Sequence, residues 1–324
     1  MAIVGQLKIR LLPEEEKVLG QAPTDNVEAY TLYLKGRQFF HYSTKWFLGL
    51  ARQMFTKAIE LDPSFARAHA GLANCYGRLV GWYDESIAEE QILASAGRAL
   101  ALDPDLAEAH AAKADTLSIL GHRDEAEEEF SQALVLDPNS FDTNLFYARH
   151  CMKGNALERS VELFIRALEV NPEDCQAALL IPPILRTLGR IEEAEKYSRL
   201  GLKRAEEALR LYPERSRPAQ LGAATLAALG EAEEAKAWLG RALAIDPDDN
   251  SALYNAACTW AQLGDKDRAF DFLDKWSRHA GQERREWLRH DADLDPIRGD
   301  PRYPKLLEIL DESPALYEVP GAKA

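Results

Sequence analysis

The chain has 324 residues, 46% of them hydrophobic, and a formal net charge of −14. Because an acidic chain repels phosphate backbones, this balance argues against a nucleic-acid-binding protein. No stretch reaches the roughly 18 apolar residues that a membrane-spanning helix needs, so no membrane association is predicted. The four cysteines have no paired spacing, which predicts reduced thiols and a cytoplasmic location.

Residues 1–26 are predicted to form a short helix and a polar linker. The first twelve residues contain apolar side chains, but Gln6, Lys8 and Arg10 interrupt them. A secretion signal needs an uninterrupted apolar core, so none is expected here.

Residues 27–279 carry a regular pattern of prolines. Their spacings are 41, 34, 34, 41 and 34 residues, and an alanine precedes each by five positions. A period near 34 is typical of a helical repeat array. The prolines are Pro63, Pro104, Pro138, Pro172, Pro213 and Pro247.

Each repeat is predicted to be a helix–turn–helix unit. Positions 12, 8 and 5 before a proline lie on one helical stripe, and they read small–large–small, as in Ala51, Phe55 and Ala58. Short side chains let two helices cross closely, and the proline then ends the helix. A second helix follows each proline, and several of these helices end in a Leu-Gly pair such as Leu120-Gly121.

This pattern resembles the tetratricopeptide repeat (TPR) family. Small residues, a mid-helix aromatic and a terminal proline recur in nearly every unit. The resemblance implies an all-α fold, a right-handed superhelical solenoid of about seven repeats over residues 27–279, with short N- and C-terminal capping helices.

Two repeats depart from the pattern by their length of 41 residues. The first addition is expected near residues 77–84, before a capping box formed by Ser86 and Glu89. The second is expected to lengthen the helix from Glu192 to Leu211. Neutral elongation and a special surface both remain open. Pro182-Pro183 is expected to break or kink its helix, either as a hinge or as a tolerated distortion.

Residues 280–311 are predicted to be a capping segment and residues 312–324 a tail. The capping segment includes a turn-rich stretch and then a short helix over residues 301–310 with Asp300 as its cap. This helix is expected to cover the apolar face of the last repeat.

The sequence contains no motif that predicts catalysis, and no cofactor or metal is expected. A phosphate loop, a dinucleotide fingerprint, a zinc-binding helix and a serine elbow are all missing from it. His69 and His110 occupy equivalent places in adjacent repeats, which would allow a metal pair, although packing histidines are the simpler interpretation. The protein is therefore predicted not to be an enzyme.

The TPR resemblance implies that exposed residues of each first helix line a concave groove that binds a protein or an extended peptide. Most charged groove positions are basic, which favours an acidic segment. In the alternative interpretation, these arginines pair with Glu108, Asp115 and Asp142 between repeats. The candidate groove residues are Tyr33, Arg37, Arg67, Asn74, Arg78, Arg149, Lys153, Arg186, Arg217 and Tyr254.

Chaperone-binding TPR proteins use a carboxylate clamp of lysines and asparagines. Asn74 matches one clamp position, but Ala70 and Ala112 stand where a lysine and an asparagine are required. A receptor for chaperone tails is therefore not expected.

Two segments resemble the TPR region of bacterial adenylate/guanylate cyclases and of TolB-like or winged-helix regulators. They are residues 23–37 and residues 293–303. Two functions stay open: a scaffold that recruits another protein, and the regulatory or sensory module of a signalling protein whose effector domain lies on another chain or is absent.

Overall fold

The computed structural model describes residues 23–312. The helix predicted before residue 23 and the tail predicted after residue 312 lie outside the described residues. Within them the chain forms sixteen α-helices and one 3-10 helix, with no strand. The predicted all-α solenoid is confirmed.

The helices follow one another in antiparallel pairs. The first eight are α1 Val27–Tyr42, α2 Lys45–Leu61, α3 Ala66–Tyr83, α4 Glu89–Leu102, α5 Ala107–Leu120, α6 Arg123–Leu136, α7 Phe141–Lys153 and α8 Leu157–Val170. The next six are α9 Cys175–Thr187, α10 Ile191–Leu211, α11 Arg217–Ala228, α12 Ala232–Ile245, α13 Asn250–Gln262 and α14 Lys266–Ser277. After these seven pairs come α15 Gln282–His290, the 3-10 helix Ala292–Ile297 and α16 Arg302–Glu312.

The repeat prolines and glycines end helices as the sequence predicts. Helix α2 stops at Leu61, and the next residue, Asp62, adopts an extended backbone before Pro63. The glycines that follow four first helices have positive φ, which costs glycine little because it has no Cβ atom. They are Gly121, Gly189, Gly230 and Gly264.

The core consists of the predicted small–large–small stripes. Ala51 and Ala58 are fully buried on either side of Phe55, and Phe130 and Phe164 occupy the equivalent place in later repeats. Burying an aromatic side chain of this size contributes about 2–3 kcal/mol. The stripes therefore hold each pair of helices to the next along the solenoid.

The two long repeats lengthen different helices. Helix α3 has 18 residues where the equivalent α5 has 14, and α10 has 21 residues where α12 has 14. The elongation of α10 was predicted correctly. The predicted capping box of Ser86 and Glu89 was wrong, because α4 begins after Ala88, whose side chain cannot cap a helix.

Helix α9 continues through Pro182 and Pro183, so the predicted break is absent. A proline ring removes one backbone donor and crowds the preceding turn. Surrounding apolar packing holds the helix together, since Ile181 and Leu185 are fully buried.

The solenoid closes on itself. The Tyr83 hydroxyl, at the end of the lengthened α3, donates to Oδ2 of Asp249 at 2.9 Å across 166 residues of sequence. Asp249 also caps α13 through Oδ1, which accepts the N–H of Ala252 at 2.9 Å. Gly281 lies so close to α3 that an added Cβ would stand 2.3 Å from the carbonyl oxygen of Val80. The second and seventh repeats are therefore in direct contact.

The C-terminal segment packs on the last repeat. Asp300 caps α16 as predicted, since its Oδ1 accepts the N–H of Arg302 at 3.0 Å. The Arg302 guanidinium lies 4.2 Å from the ring centroid of Phe270 on α14. This helix therefore contacts the side of the last repeat that no further repeat covers.

Candidate functional site

Closure of the solenoid fills its concave face. Trp82, at the end of α3, is 4% exposed, and the guanidinium of Arg78 lies 4.8 Å from its ring. Arg149 and Arg217 approach the same ring at 5.1 and 5.5 Å. Three predicted groove arginines thus meet around one tryptophan, in an arrangement that we call the inner channel.

The inner-channel cations use partners within the chain. Arg78 pairs with Asp115 at 3.1 Å, and both side chains are almost fully buried. Oε1 of Gln176 accepts from Arg149 at 3.0 Å and from Arg217 at 3.3 Å. Interactions of this kind are strong when desolvated, so the channel is a rigid, polar part of the core.

The predicted exposure of several groove residues was wrong. Arg78, Arg149, Lys153 and Arg217 are between 2% and 9% exposed, and Tyr254 is 2% exposed. The transfer from the family assumed an open concave face, whereas the second and seventh repeats meet across it. The role of these five side chains in peptide binding stays a prediction.

The alternative interpretation, pairing between repeats, is confirmed for three arginines. Besides the Arg78–Asp115 pair, Arg37 contacts Asp142 at 2.8 Å, which raises the pKa of the Arg37 guanidinium. Arg67 contacts Glu108 at 3.5 Å. These pairs join neighbouring or facing repeats and neutralise much of the predicted basic surface.

The predicted groove residues Tyr33 and Asn74 are largely enclosed by the protein. The Tyr33 ring is 5% exposed and packs on Phe65 with 5.0 Å between ring centroids. Burial raises the pKa of its hydroxyl. The side chain of Asn74 is half-buried, and its Oδ1 has no hydrogen-bond partner among the described residues.

Two of the predicted groove residues, Arg186 and Tyr254, hold the C-terminal segment. Arg186 forms an ion pair with Asp293, and the Tyr254 hydroxyl donates to Oδ2 of Asp291 at 2.8 Å. Asp291, Asp293 and Cys258 lie close enough together to suggest a metal site. Their carboxylates already serve these donors, so the cluster is better explained as a junction between α9, α13 and the C-terminal segment.

A large cleft opens where the first repeat faces the fifth and sixth. Its volume is about 650 Å³, within the usual range of about 300–1,000 Å³ for ligand sites. We call it the arginine cleft. Its charged and aromatic lining residues are Arg37, His41, Tyr42, Phe141, Glu173, Asp174, Arg204, Glu207, Arg210, Tyr212, Arg215 and Arg217.

Three arginines of this cleft have no ion-pair partner within the described residues, although Glu173, Asp174 and Glu207 also line it. These arginines are Arg204, Arg210 and Arg215. Arg204 donates only to the backbone carbonyl of Asp174, at 3.3 Å. The Arg215 guanidinium instead lies between the rings of Tyr42 and Tyr212, 4.0 Å from each centroid. The cleft therefore combines unpaired positive charge with aromatic surface.

Sequence reasoning found two residues of this cleft, Arg37 and Arg217, and missed the three unpaired arginines. Arg204 and Arg210 lie on α10, a second helix, and the family pattern assigns the groove to first helices. Arg215 lies in the turn before α11. The available signal in the sequence was the 41-residue length of this repeat, because the lengthened helix α10 carries Arg204 and Arg210.

Burial favours the neutral forms of two titratable groups in the cleft, Cys175 and His41. Burial raises the pKa of the Cys175 thiol to about 12, so it stays protonated at neutral pH. Burial also lowers the pKa of His41, although Asp142 opposes this effect. Neither group is thus prepared as a thiolate or a charged imidazole.

All four cysteines are free thiols, as predicted. Burial raises the pKa of Cys151 to about 12 and also raises that of Cys75. Over residues 23–312, no helix combines the length and apolar character that crossing a bilayer requires.

Comparisons with known proteins identify the repeat. A family model for the tetratricopeptide repeat matches residues 107–140 and 221–249, which overlap the third and sixth helix pairs. No curated protein matches the chain.

Solved structures share the fold at low identity. A monomeric IFIT1 mutant with m7Gppp-AAAA is 16% identical, with a TM-score of 0.57 over 96% of this chain and 74% of that chain. The human IFIT1 dimer with PPP-AAAA is 19% identical, with a TM-score of 0.54 over 81% and 64%. YrrB, described as a TPR protein with an unusual peptide-binding site, is 20% identical, with a TM-score of 0.37 over 56% and 91%.

Identities this low show the fold alone. Together with the family match, they establish that the chain contains tetratricopeptide repeats and forms a solenoid of that type.

Proposed function

We propose that this protein is a non-catalytic, cytoplasmic binding module that holds an acidic segment of a partner protein in the arginine cleft. One observation carries this proposal. Arg204, Arg210 and Arg215 line a cleft of about 650 Å³ and form no ion pair with a carboxylate of the described chain. Guanidinium groups bind carboxylates through paired, charge-assisted hydrogen bonds, so an acidic segment fits them.

The aromatic residues of the cleft supply the second element of such a site. Phe141 and Tyr212 line it, and Tyr212 and the neighbouring Leu211 are 39% and 60% exposed. Exposed apolar side chains beside unpaired cations can bury the apolar residues of a bound segment. The protonated thiol of Cys175 supports a binding role over nucleophilic catalysis.

The inner channel is not part of this proposal. Its arginines already have partners, and a segment could reach them only if the second and seventh repeats separated. Of the predicted groove residues, Arg37 and Arg217 line the arginine cleft, but the proposal does not depend on them because both have partners within the chain. The other predicted groove residues stay predictions.

The test is equilibrium binding of two labelled peptide libraries, followed by fluorescence anisotropy. One library is rich in Asp and Glu, and the other has Asn and Gln at the same positions. We expect wild type to bind the acidic library, and the double variant Arg210→Glu, Arg215→Glu to bind it at least about tenfold more weakly, since each tenfold step is about 1.4 kcal/mol.

The matched control is Arg278→Glu, which reverses the charge of a side chain that is 68% exposed on the last repeat. It should bind like wild type. The proposal fails if the control loses as much affinity as the double variant, or if both peptide libraries bind equally well.

A regulatory role in bacterial signalling is the second candidate function. It is supported by the resemblance of residues 23–37 and 293–303 to the TPR regions of cyclases and regulators. Its test is the activity of a separately produced effector domain with and without this protein, and an unchanged activity would count against it.

A further inference from the structure

Arg215 is held in an unusual way at the arginine cleft. Tyr42 comes from the first repeat and Tyr212 from the end of α10, and both rings lie 4.0 Å from the guanidinium carbon. A guanidinium in contact with two aromatic rings is restrained by both of them and donates hydrogen bonds through its N–H groups. The position of Arg215 is therefore restrained before any ligand arrives.

The edge of Arg215 includes an unsatisfied donor. Its Nε atom is buried and has no hydrogen-bond partner within the described residues. Buried donors of this kind are rare in native proteins, because an unsatisfied polar group is costly. Since this atom is inaccessible, a bound molecule would contact Arg215 through its two Nη groups, which form no hydrogen bond with residues 23–312.

Arg204 and Arg210 add two further guanidinium groups to the same cleft. Arg210 is exposed, and Arg204 makes one bond to the backbone carbonyl of Asp174. Three guanidinium groups exceed the need of one carboxylate, which carries a single charge and two oxygens. A phosphate monoester carries about −1.5 to −2 charges at neutral pH and three strong acceptor oxygens.

The acidic residues of the cleft limit how much negative charge it can accept. Glu173 and Glu207 are exposed on its surface. Oδ1 of Asp174 accepts the N–H of Ala177 at 2.7 Å, and burial raises the pKa of this carboxyl. These side chains, and the net charge of −14, repel an extended polyanion more than a single phosphate.

We propose that the arginine cleft recognises a phosphorylated side chain in the partner segment, with Arg215 as the fixed donor and Arg204 and Arg210 completing the anion site. This inference rests on the function proposed above and narrows its ligand. Phosphorylation of the partner would then control whether it binds.

The test uses fluorescence anisotropy with three labelled peptide libraries that differ at one central position, which is phosphoserine, glutamate or serine. The full-length protein should bind the phosphoserine library at least about tenfold more tightly than the glutamate library. Equal affinity for the phosphoserine and glutamate libraries would overturn the inference and leave the proposed function standing. If none of the libraries binds, both fail.

Three variants assign the effect to the named side chains. Arg210→Gln alters an exposed residue and Arg215→Lys keeps the charge but loses the planar fork, and each should reduce phosphoserine binding at least about fivefold. Arg278→Gln is the control and should bind like wild type. Circular dichroism of each variant must match that of wild type.

A nucleic-acid ligand is the competing outcome. A labelled oligoadenylate with a 5′-triphosphate is the probe, chosen because IFIT1 structures of the same fold hold PPP-AAAA and m7Gppp-AAAA. If this probe binds more tightly than the phosphoserine library and loses affinity in Arg215→Lys, the site recognises nucleic acid, and the inference is overturned.

Discussion

The inner channel and the arginine cleft use the same chemistry for different purposes. In the channel, Arg78 is 2% exposed, pairs with Asp115 and lies on Trp82. In the cleft, Arg215 also lies on aromatic rings, but it has no carboxylate partner and keeps a buried donor unsatisfied. Arginine on the inside of a solenoid is therefore not enough to predict a ligand site. Arg78 and Arg215 differ in whether a carboxylate of the described chain pairs with the guanidinium.

This difference follows from the two long repeats. Trp82 and Tyr83 lie at the end of the lengthened α3. They contact α13 there, and this contact closes the inner channel. The lengthened α10 carries Arg204 and Arg210, which line one side of the cleft. For α3, the added residues form a buried contact between repeats rather than a special surface. For α10, the two interpretations stay open.

The largest loss in the free energy of unfolding is expected from Trp82→Ala in the inner channel. Truncating a buried tryptophan costs about 3–5 kcal/mol, and here it also removes the ring that Arg78, Arg149 and Arg217 share. Urea unfolding followed by circular dichroism measures the change. Trp46→Ala is the matched control, since Trp46 is 69% exposed, and it should change the free energy of unfolding by less than about 0.5 kcal/mol. Equal losses in the two variants would mean that Trp82 is not part of the core.

A smaller loss of stability is expected where the second repeat contacts the segment that follows the seventh. In Gly281→Ala the new methyl group would stand 2.3 Å from the backbone oxygen of Val80, so the C-terminal segment must shift away from α3. Overpacking of this kind costs about 1–3 kcal/mol. Hydrogen exchange should show faster exchange in both segments, and urea unfolding gives the free energy.

Gly240→Ala is the control for this variant. It lies inside α12, and nothing is within 4 Å of the added carbon. Replacing a glycine inside a helix stabilises it by roughly 0.5–1 kcal/mol. The two variants should therefore shift stability in opposite directions. If Gly281→Ala is as stable as wild type, the closed arrangement of the second and seventh repeats is wrong.

The sequence predicted the fold well because residues close together in the sequence specify each repeat. The stripe of Ala51, Phe55 and Ala58 and the terminal proline define each helix pair through contacts within about 34 residues. The same holds for the glycines that end first helices, since their positive φ is a local requirement. Even Asp300 could be assigned as a cap from its neighbours alone.

The sequence did not predict the site, because the site depends on how tightly the solenoid winds. Contacts such as Tyr83 with Asp249 join residues 166 positions apart, and no local pattern reports them. The continuity of α9 through Pro182 likewise depends on packing with its neighbours, which outweighs the local cost of the ring. The pairing of the arginines with acidic groove residues could be stated only as an alternative. The sequence shows that opposite charges occupy groove positions, but it does not show which of these side chains contact each other.

The smallest expected effect is the contribution of His41, in the arginine cleft, to the pH dependence of stability. Burial lowers the pKa of this imidazole from its ordinary value of 6.5; Asp142 opposes this shift, and Arg37 adds to it. The folded protein therefore favours the neutral ring. Its contribution to stability is fully present above pH 6.5 and decreases as the pH falls through that value towards the lower pKa of the folded state.

We therefore expect wild type to lose more stability than His41→Asn when the pH is lowered from 7.5 to 5.5. Urea unfolding at each pH measures this difference, and it cancels any loss that the substitution causes at every pH. His279→Asn removes an exposed imidazole and should retain the full wild-type dependence. If His41→Asn and wild type respond equally to pH, His41 is solvated in the folded protein, and the cleft is more open to water than its geometry indicates.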